Sequence, residues 1–411
     1  NMKTKQVIIV SGGNFSDPNN YVRVGSYNPV NKVYTAFDSV RAKSTRSVLI
    51  DGKYAYVTAD TLMLKYDIDN YTRVAIDTTS GLNTPGGYLA QYGNYILATR
   101  GFGTKGNYLT AYNKSDLKQA FNIAGIADQA SGIVVVGDTA YVGVAGAYNK
   151  DSGSIAVINL KTMQFKREIM LDSMGAQINR IFTDGTNIYT VNTKRNIITT
   201  YNITTGSLHH HSYSTSQYGN GNGVEFNRNK IYTDFSFLGI GAFDVTTNNT
   251  SSSMAIDYNK IPGFNTFSNY ISGAALDTLN QQFYITATNF VNTGETYVFN
   301  MNGDILDTFN VGVSSEAIAM DYRSTVSISN PQNQLINISA YPNPAKNTLT
   351  ISTKGLNNAS VQIIDLGGKT VLFQNLETAV QTFNIQQLPA GMYIFNLKSD
   401  EGFGVKKFIK Q

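Results

Sequence analysis

Along the first 320 positions, apolar residues come in short runs separated by polar, turn-forming stretches, the grammar of β-strands and hairpins. A run ending in an aromatic or aliphatic residue followed by Asn or Asp recurs at Tyr27-Asn28, Tyr66-Asp67, Tyr112-Asn113, Ile158-Asn159, Tyr201-Asn202, Phe243-Asp244 and Phe299-Asn300. The spacing, 39 to 56 residues, is that of a propeller or solenoid unit. In copies such as Ile158-Asn159-Leu160-Lys161-Thr162 and Tyr201-Asn202-Ile203-Thr204-Thr205-Gly206, the Asn side chain can cap its own backbone and turn the chain. The aromatic residues are expected to pack between sheets, burying their rings while their hydroxyls find partners.

A second marker runs at another phase of the same period. It comprises Tyr54 to Thr58, Tyr95 to Thr99, Ala140 to Val144, Ile188 to Val191, Ile231 to Thr233 and Phe283 to Thr286. Its seventh copy is missing after Ser315 to Met320, whereas Val7 to Val10 has the right character at the other end of the chain. The N-terminal strand is therefore expected to complete the last blade, leaving no exposed sheet edge. In the fourth repeat the strands are drawn at Ser154 to Asn159, Gln164 to Leu171, Gln177 to Thr183 and Asn187 to Asn192. The expectation is an all-β chain with a seven-bladed β-propeller over residues 1–323.

The pairs Ile155-Ala156-Val157-Ile158-Asn159 and Ile188-Tyr189-Thr190-Val191-Asn192 resemble the repeats of the YVTN-type bacterial seven-bladed propellers. The resemblance covers residues 5 to 323 and implies an architecture, since rings of this kind host binders and enzymes alike.

Residues 324–340 are rich in Ser, Asn and Gln and read as a linker around Pro331, and the grammar then changes. Strand-like alternation at Thr348 to Ser352, Ser360 to Asp365, Thr370 to Gln374, Thr382 to Ile385, Gly391 to Lys398 and Val405 to Ile409 suggests a small, Ig-like β-sandwich over 341–411. Pro342 and Pro344 are read as fixing the entry to its first strand. Gly367-Gly368 suits a hairpin needing positive φ, and Gly391 a turn before an aromatic strand. Lys406, Lys407 and Lys410 suit either a partner contact or a charge-protected edge.

Three segments carry a second resemblance: Tyr341-Pro342-Asn343-Pro344-Ala345; Val361 to Val371 with Asp365 and Gly368; and Leu388 to Phe395 with Gly391 and Tyr393, leading to Lys406-Lys407. In order and spacing they resemble the type A sorting domain of the type IX secretion system. That resemblance implies export through a dedicated outer-membrane translocon as partner, and a secreted or outer-membrane surface location reached through the periplasm. It also implies that the sorting domain is often removed. The opening Asn1 to Val10 is too short for a signal-peptide core, so an exported chain is expected to have lost its signal already.

Composition sharpens this picture. The 26 Tyr, 21 Phe and 36 Gly of the 411 residues, with 15% charged residues, fit strands and tight turns. A net charge of +4 without a run of like charge gives no nucleic-acid track, and no apolar stretch is long enough for a membrane span. Cys is absent, which removes disulfides, thiol catalysis and thiolate metal sites. All three histidines are consecutive at His209 to His211, and one carboxylate at Asp151 falls short of a calcium site, so no metal or cofactor is expected. The glycine-rich segments Gly101 to Gly106 and Gly219 to Gly223 open no helix and read as loops rather than phosphate cradles.

Residues entering the inner strands form the expected mouth: Arg46, Asp128, Gln129, Gln177, Asn179, Arg180, Asn220, Asn222, Ser315 and Glu316. Mixed charge with many amides suits a polar ligand, a glycan or a peptide. The expected function is a secreted or surface binding module, with a glycan, peptide or surface protein as ligand. Its alternatives are a lyase or hydrolase working with Asp, Glu, Tyr and Arg at the mouth, and a scaffold for protein contacts.

Overall fold

The hairpin grammar is realised strand by strand. The computed structural model describes residues 2–78, 87–101, 106–213, 221–264, 269–324, 336–353, 356, 359–399 and 402–411. The chain divides into two compact units, Lys3–Arg323 and a second within Ser324–Gln411.

The first unit consists of antiparallel sheets with at least four strands each. Sheet I takes, in spatial order, Thr45–Asp51, Tyr54–Ala59, Leu62–Asp67 and Thr72–Asp77, and sheet II takes Leu89–Tyr92, Tyr95–Thr99, Leu109–Asn113 and Gln119–Asn122. Sheet III takes Ala130–Val136, Thr139–Val144, Gly153–Asn159 and Gln164–Asp172, and sheet IV takes Ile178–Thr183, Asn187–Asn192, Ile197–Asn202 and Leu208–Ser212. Sheet V takes Asn222–Asn227, Lys230–Phe235, Gly239–Asp244 and Asn249–Thr250, with Ile256–Asp257 pairing on its third strand. Sheet VI takes Tyr270–Asp277, Gln282–Thr288, Glu295–Asn300 and Ile305–Asn310. Sheet VII joins Ser314–Ser324 to Met2–Gly12, Val22–Asn28 and Val33–Val40, so its strands come from both ends of the unit.

Each Asn or Asp of the first marker ends the third strand of its sheet, and the residue before it is at most 4% exposed in all seven copies. The turn that follows is held as the residue types dictate. Asn28 Oδ1 accepts from the amides of Val30 and Asn31, and Asp67 Oδ1 from those of Asp69 and Asn70. Asn159, Asn202, Asp244 and Asn300 each receive two backbone N–H groups in the same way.

The phase drawn in the sequence differs from the sheets. Ser154 to Leu171 and Gln177 to Asn192 belong to sheets III and IV, so the repeat as drawn straddles two sheets. A period fixes where strands recur but not which turn is a hairpin and which a crossing. Here the crossing is the 3-10 turn Ser173–Gly175, which follows Asp172 at a positive φ of 49°.

Side chains from consecutive sheets interlock in separate apolar cores. Tyr56 and Met63 of sheet I meet Ile96 and Tyr112 of sheet II, and Leu97 and Ala111 of sheet II meet Val142 and Ile158 of sheet III. Val157 and Leu171 meet Ile178 and Ile188 between III and IV, Tyr189 and Val191 meet Ile231 and Phe243 between IV and V, and Tyr232 and Ile240 meet Phe283 and Ile285 between V and VI. Two further cores bring in the last sheet: Val7, Ile9 and Tyr27 pack on Tyr284 and Val298 of sheet VI, and Ile8, Val10 and Val24 pack on Val57 and Leu64 of sheet I. Successive four-stranded antiparallel sheets packed face to face make this unit propeller-like.

The second unit is a sandwich of a three-stranded sheet, ordered Ser339–Tyr341, Thr348–Ser352, Val380–Asn384, and a four-stranded sheet, ordered Thr370–Asn375, Ser360–Ile364, Gly391–Ser399, Gly402–Lys410. Leu349, Ile351 and Phe383 of the first face Val361, Ile363, Phe395, Leu397 and Phe408 of the second in one core. Three details depart from expectation. Pro342 and Pro344 follow a strand, Ser339–Tyr341, rather than opening the first one. Only Gly368 of the glycine pair takes positive φ, at 83°, with Asp365 Oδ1 accepting from the Gly367 and Lys369 amides at 2.9 Å each. Gly391 makes no turn: it pairs with Lys410 as the first residue of its strand.

Candidate functional site

The first strand of each sheet in Lys3–Arg323 lines one shared cavity of about 210 Å³. What re-aims side chains into it is a recurrent irregularity of register. Pairing slips between Thr45 and Val48, Ala130 and Ile133, Ile178 and Arg180, Gly223 and Glu225, and Ile271 and Gly273, each time beside the cavity. A bulge of this kind twists the strand and turns a side chain off the pleat, which is how a strand serves a site. The strands also crowd one another: a Cβ on Gly132 would stand 2.8 Å from the Ile181 amide, and one on Gly273 would collide with the Ser315 carbonyl.

Four charged residues face this space, Arg46, Arg180, Glu225 and Glu316, together with Ser47 and Tyr88. None of the four makes an ion pair among the described residues, although Arg180 lies near enough to act on Glu225 and Arg46 on Glu316. Burial pushes the Glu225 carboxyl above the usual range, with Arg180 and the Phe226 amide pulling the other way. Glu316 is solvent-exposed at the cavity, yet the protein packed around it shifts its carboxyl upward too, opposed by its hydrogen bond from Ser314 Oγ at 2.9 Å and by Arg46. Arg180 is set by its neighbours: its guanidinium lies 5.2 Å from the Tyr88 ring centre and 5.4 Å from that of Phe182. Two fixed cations and two carboxyls biased toward the neutral acid therefore share one polar cavity.

Of the residues expected at the mouth, Arg46, Arg180 and Glu316 line the cavity. The others stand outside its lining or are spent on structure. Asp128 is held by Lys150 at 2.6 Å, and its Oδ1 accepts from the Gln129 amide. The Gln129 carbonyl accepts from Ala145 and Gly146, and Gln177 Nε2 donates to the Ala147 carbonyl at 2.8 Å, so both brace the same loop. Asn179 Oδ1 accepts from the Gly223 amide at 3.0 Å and ties sheet IV to sheet V. Ser315 shares a 2.6 Å hydrogen bond with Ser11, fully buried, and Asn222 is exposed. Asn220 lies outside the described residues, as do residues 102–105 and 219 of the glycine-rich segments. Glu225 and Tyr88 join the cavity although neither was expected at the mouth from the sequence pattern.

The remaining chemical candidates are absorbed by packing. His209 to His211 lie on the outermost strand of sheet IV, where His210 Nδ1 pairs with Thr199 Oγ1 at 2.9 Å. Asp151 is neutralised by one Arg195 nitrogen, Nη2, which reaches both its oxygens at 2.8 and 2.9 Å, with Lys194 at 3.4 Å. Among the described residues no group of three or more His, Asp or Glu is placed to hold a metal.

In the second unit, Tyr341, Pro342, Asn343 and Pro344 are all exposed. Asn343 serves the structure, because its Oδ1 accepts from the Ile409 amide at 2.9 Å and so caps the open edge of the strand that carries the exposed Lys406 and Lys407. Lys410, by contrast, is 7% exposed. Tyr393 stacks on Phe408, ring centres 5.6 Å apart, and donates to the Pro389 carbonyl at 2.8 Å.

The second unit is thereby defined as a β-sandwich with an exposed motif at its edge, and comparison with known families gives it a name. Residues 339–411 match the secretion system C-terminal sorting domain. The chain thus carries a type IX secretion sorting domain, which indicates secretion or attachment at the outer-membrane surface and engagement of that machinery. No curated protein sequence matches the chain. Among solved structures, it is similar to a provisionally named 6-phosphogluconolactonase of Bacteroides fragilis, at 11% identity and a TM-score of 0.54 over 77% of this chain and 98% of that one. It is also similar to the RRP9 WD40 repeats, at 10% identity and 0.51 over 75% and 88%. A third likeness is to the extracellular domain of a provisionally named hybrid two-component system of B. thetaiotaomicron, at 10% identity and 0.51 over 100% and 57%. At such identities these likenesses establish a propeller-like fold and nothing of activity. No helix among the described residues is long and apolar enough to cross a membrane.

Proposed function

We propose that Lys3–Arg323 is a closed seven-bladed propeller of YVTN type that works outside the cell as a binding module. Its ligand, a glycan or a peptide segment, is taken into the central cavity. Residues 341–411 are the export module and 324–340 the linker. Closure is supported by the pairing of Ser314–Ser324 with Met2–Gly12 and by the two cores that sheet VII shares with sheets VI and I. The observation that carries the binding reading is the set Arg46, Arg180, Glu225 and Glu316, ionisable and without ion-pair partners among the described residues, in one cavity. Ionisable groups gathered in one cavity without ion-pair partners are what a ligand site needs. The exposed Tyr341 to Pro344 segment and the neighbouring Lys406 and Lys407 supply the surface that the translocon reads.

A glycan and peptide screen on the full chain tests the binding reading, repeated with the Arg46→Gln and Glu316→Gln variants. A ligand whose binding weakens in both variants supports it; a ligand indifferent to both places the binding surface elsewhere. A second reading, a secreted lyase or hydrolase, is favoured by the raised carboxyls of Glu225 and Glu316, since a neutral carboxylic acid is a proton donor. Release of products from the bound ligand would select it.

A further inference from the structure

We infer that the central cavity takes an acidic sugar, with the ligand's carboxylate on Arg180 and Arg46 and its hydroxyls on Glu225, Glu316 and Tyr88. The inference rests on reading this cavity as the ligand site and adds the class of ligand.

Charge points to an anion first. Arg46 and Arg180 make no ion pair among the described residues, although Glu316 and Glu225 act on them at longer range, and both open into the same space of about 210 Å³. A guanidinium presents its donors in a planar fork that matches a carboxylate with two parallel hydrogen bonds. Arg180 is also pre-positioned, bracketed by the Tyr88 ring at 5.2 Å and the Phe182 ring at 5.4 Å, so little side-chain freedom remains to be lost on binding. The strand geometry places it there, because the register slip between Ile178 and Arg180 turns the side chain inward.

The two carboxyls select against other anions. A doubly charged phosphate would meet Glu225 and Glu316 in the same cavity, whereas a single carboxylate asks less of them. Their carboxyl oxygens accept from a sugar hydroxyl. The lining supplies further polar groups at Ser47 and Tyr88.

The test is calorimetric titration of the full chain with a uronate disaccharide, with its neutral carboxyl-reduced counterpart, and with glucose 6-phosphate. The uronate is expected to bind at least tenfold more tightly than either, and Arg180→Gln to lose at least tenfold, with Arg180→Lys between the two. Thermal melting of each variant separates lost binding from lost folding. Equal affinity for the uronate and its neutral counterpart, or an unchanged uronate affinity in a folded Arg180→Gln protein, overturns the inference but leaves the cavity as a ligand site. Preference for the phosphate ester overturns the carboxylate assignment. If none of the three binds while another ligand in the screen is lost in Arg46→Gln, the acidic-sugar inference fails alone. If every ligand ignores the cavity variants, the binding reading falls with it.

Discussion

The Tyr27 hydroxyl donates to Asp307 Oδ2 at 2.6 Å, joining residues 280 apart in sequence. Tyr27 lies at the end of the third strand of sheet VII and Asp307 on the outer strand of sheet VI, so this bond helps fasten the end of the unit to its beginning. The same relation recurs one sheet on, where the Tyr66 hydroxyl of sheet I donates to Asp38 Oδ2 of sheet VII at 2.8 Å. At Tyr27 and Tyr66 the tyrosine of the repeat marker therefore does two things: it fills the core between sheets and reaches across to the outer strand of the sheet before it; Tyr112 instead accepts from Arg100, beside its own sheet, at 3.0 Å. Tyr201 keeps the geometry with a cation as partner, accepting from Arg167 of sheet III at 3.0 Å.

Removing this fastening is expected to weaken the fold by amounts that separate its two parts. Tyr27→Phe loses the bond and is expected to cost about 1 kcal/mol. Tyr27→Ala also loses a ring stacked on Phe309 at 4.2 Å and is expected to cost about 3–5 kcal/mol. Denaturant unfolding of both variants checks the order, and equal losses would contradict it.

The capping turns make a second prediction. Asn159→Ala and Asn202→Ala each remove an acceptor of two backbone N–H groups and are expected to cost about 1 kcal/mol apiece. The two losses should add, since the sites lie in different sheets and share no partner. Melting temperatures of the single and double variants measure this.

Asp234 gives a pH dependence with a definite sign. Burial raises its carboxyl from 3.8 to about 6, against a hydrogen bond from Tyr258 at 2.7 Å that favours the anion. A folded pKa above the unfolded one means that the native state holds the proton more tightly. Stability from this group is therefore fully present below pH 3.8 and lost as pH rises through about 6. Asp234→Asn keeps an acceptor for Tyr258 and removes the charge. It is expected to raise stability at pH 7 by up to about 3 kcal/mol and to change little at pH 4. A gain of equal size at both values would contradict the assignment.

Export is separable from folding. The inter-sheet cores of the first unit lie wholly within Lys3–Arg323, so a chain lacking residues 339–411 is expected to stay folded but remain in the periplasm. A full-length chain with Lys406→Glu and Lys407→Glu, both exposed, is expected to melt as before and reach the surface less efficiently. Fractionation with surface proteolysis reads both. Normal surface delivery of the truncated chain would remove the role assigned to the sorting domain.

Much of this architecture was legible because the signals are local. A buried aromatic followed by a capping Asn or Asp is written in adjacent residues, and so is the Tyr341-Pro342-Asn343-Pro344 motif. The phase of the sheets was not legible, because the hairpin ending at Gln164 and the crossing at Ser173–Gly175 both look like polar turns. The site was half legible. Arg180 and Glu316 sit near the start of inner strands, whereas Glu225, which like Arg180 follows a register slip, lies further along its strand, where alternation of apolar and polar residues does not reveal it. Aligning the repeats on that slip puts Glu225 at the position equivalent to Arg180, the first paired residue past the irregularity in each strand. The amides at Gln177 and Asn179 misled because their hydrogen-bonding is consumed by a loop and by a neighbouring sheet, something only the fold displays.

Where a ligand touches the protein decides whether the central cavity is the binding site. Amide hydrogen exchange of the full chain, with and without a ligand from the screen, locates that contact. A ligand in the cavity predicts new protection on the inner strands, around residues 46–49, 88–89, 180–181, 224–225 and 316–318, with the outer strands and residues 339–411 unchanged. Protection confined to the outer strands or to the C-terminal sandwich would contradict it.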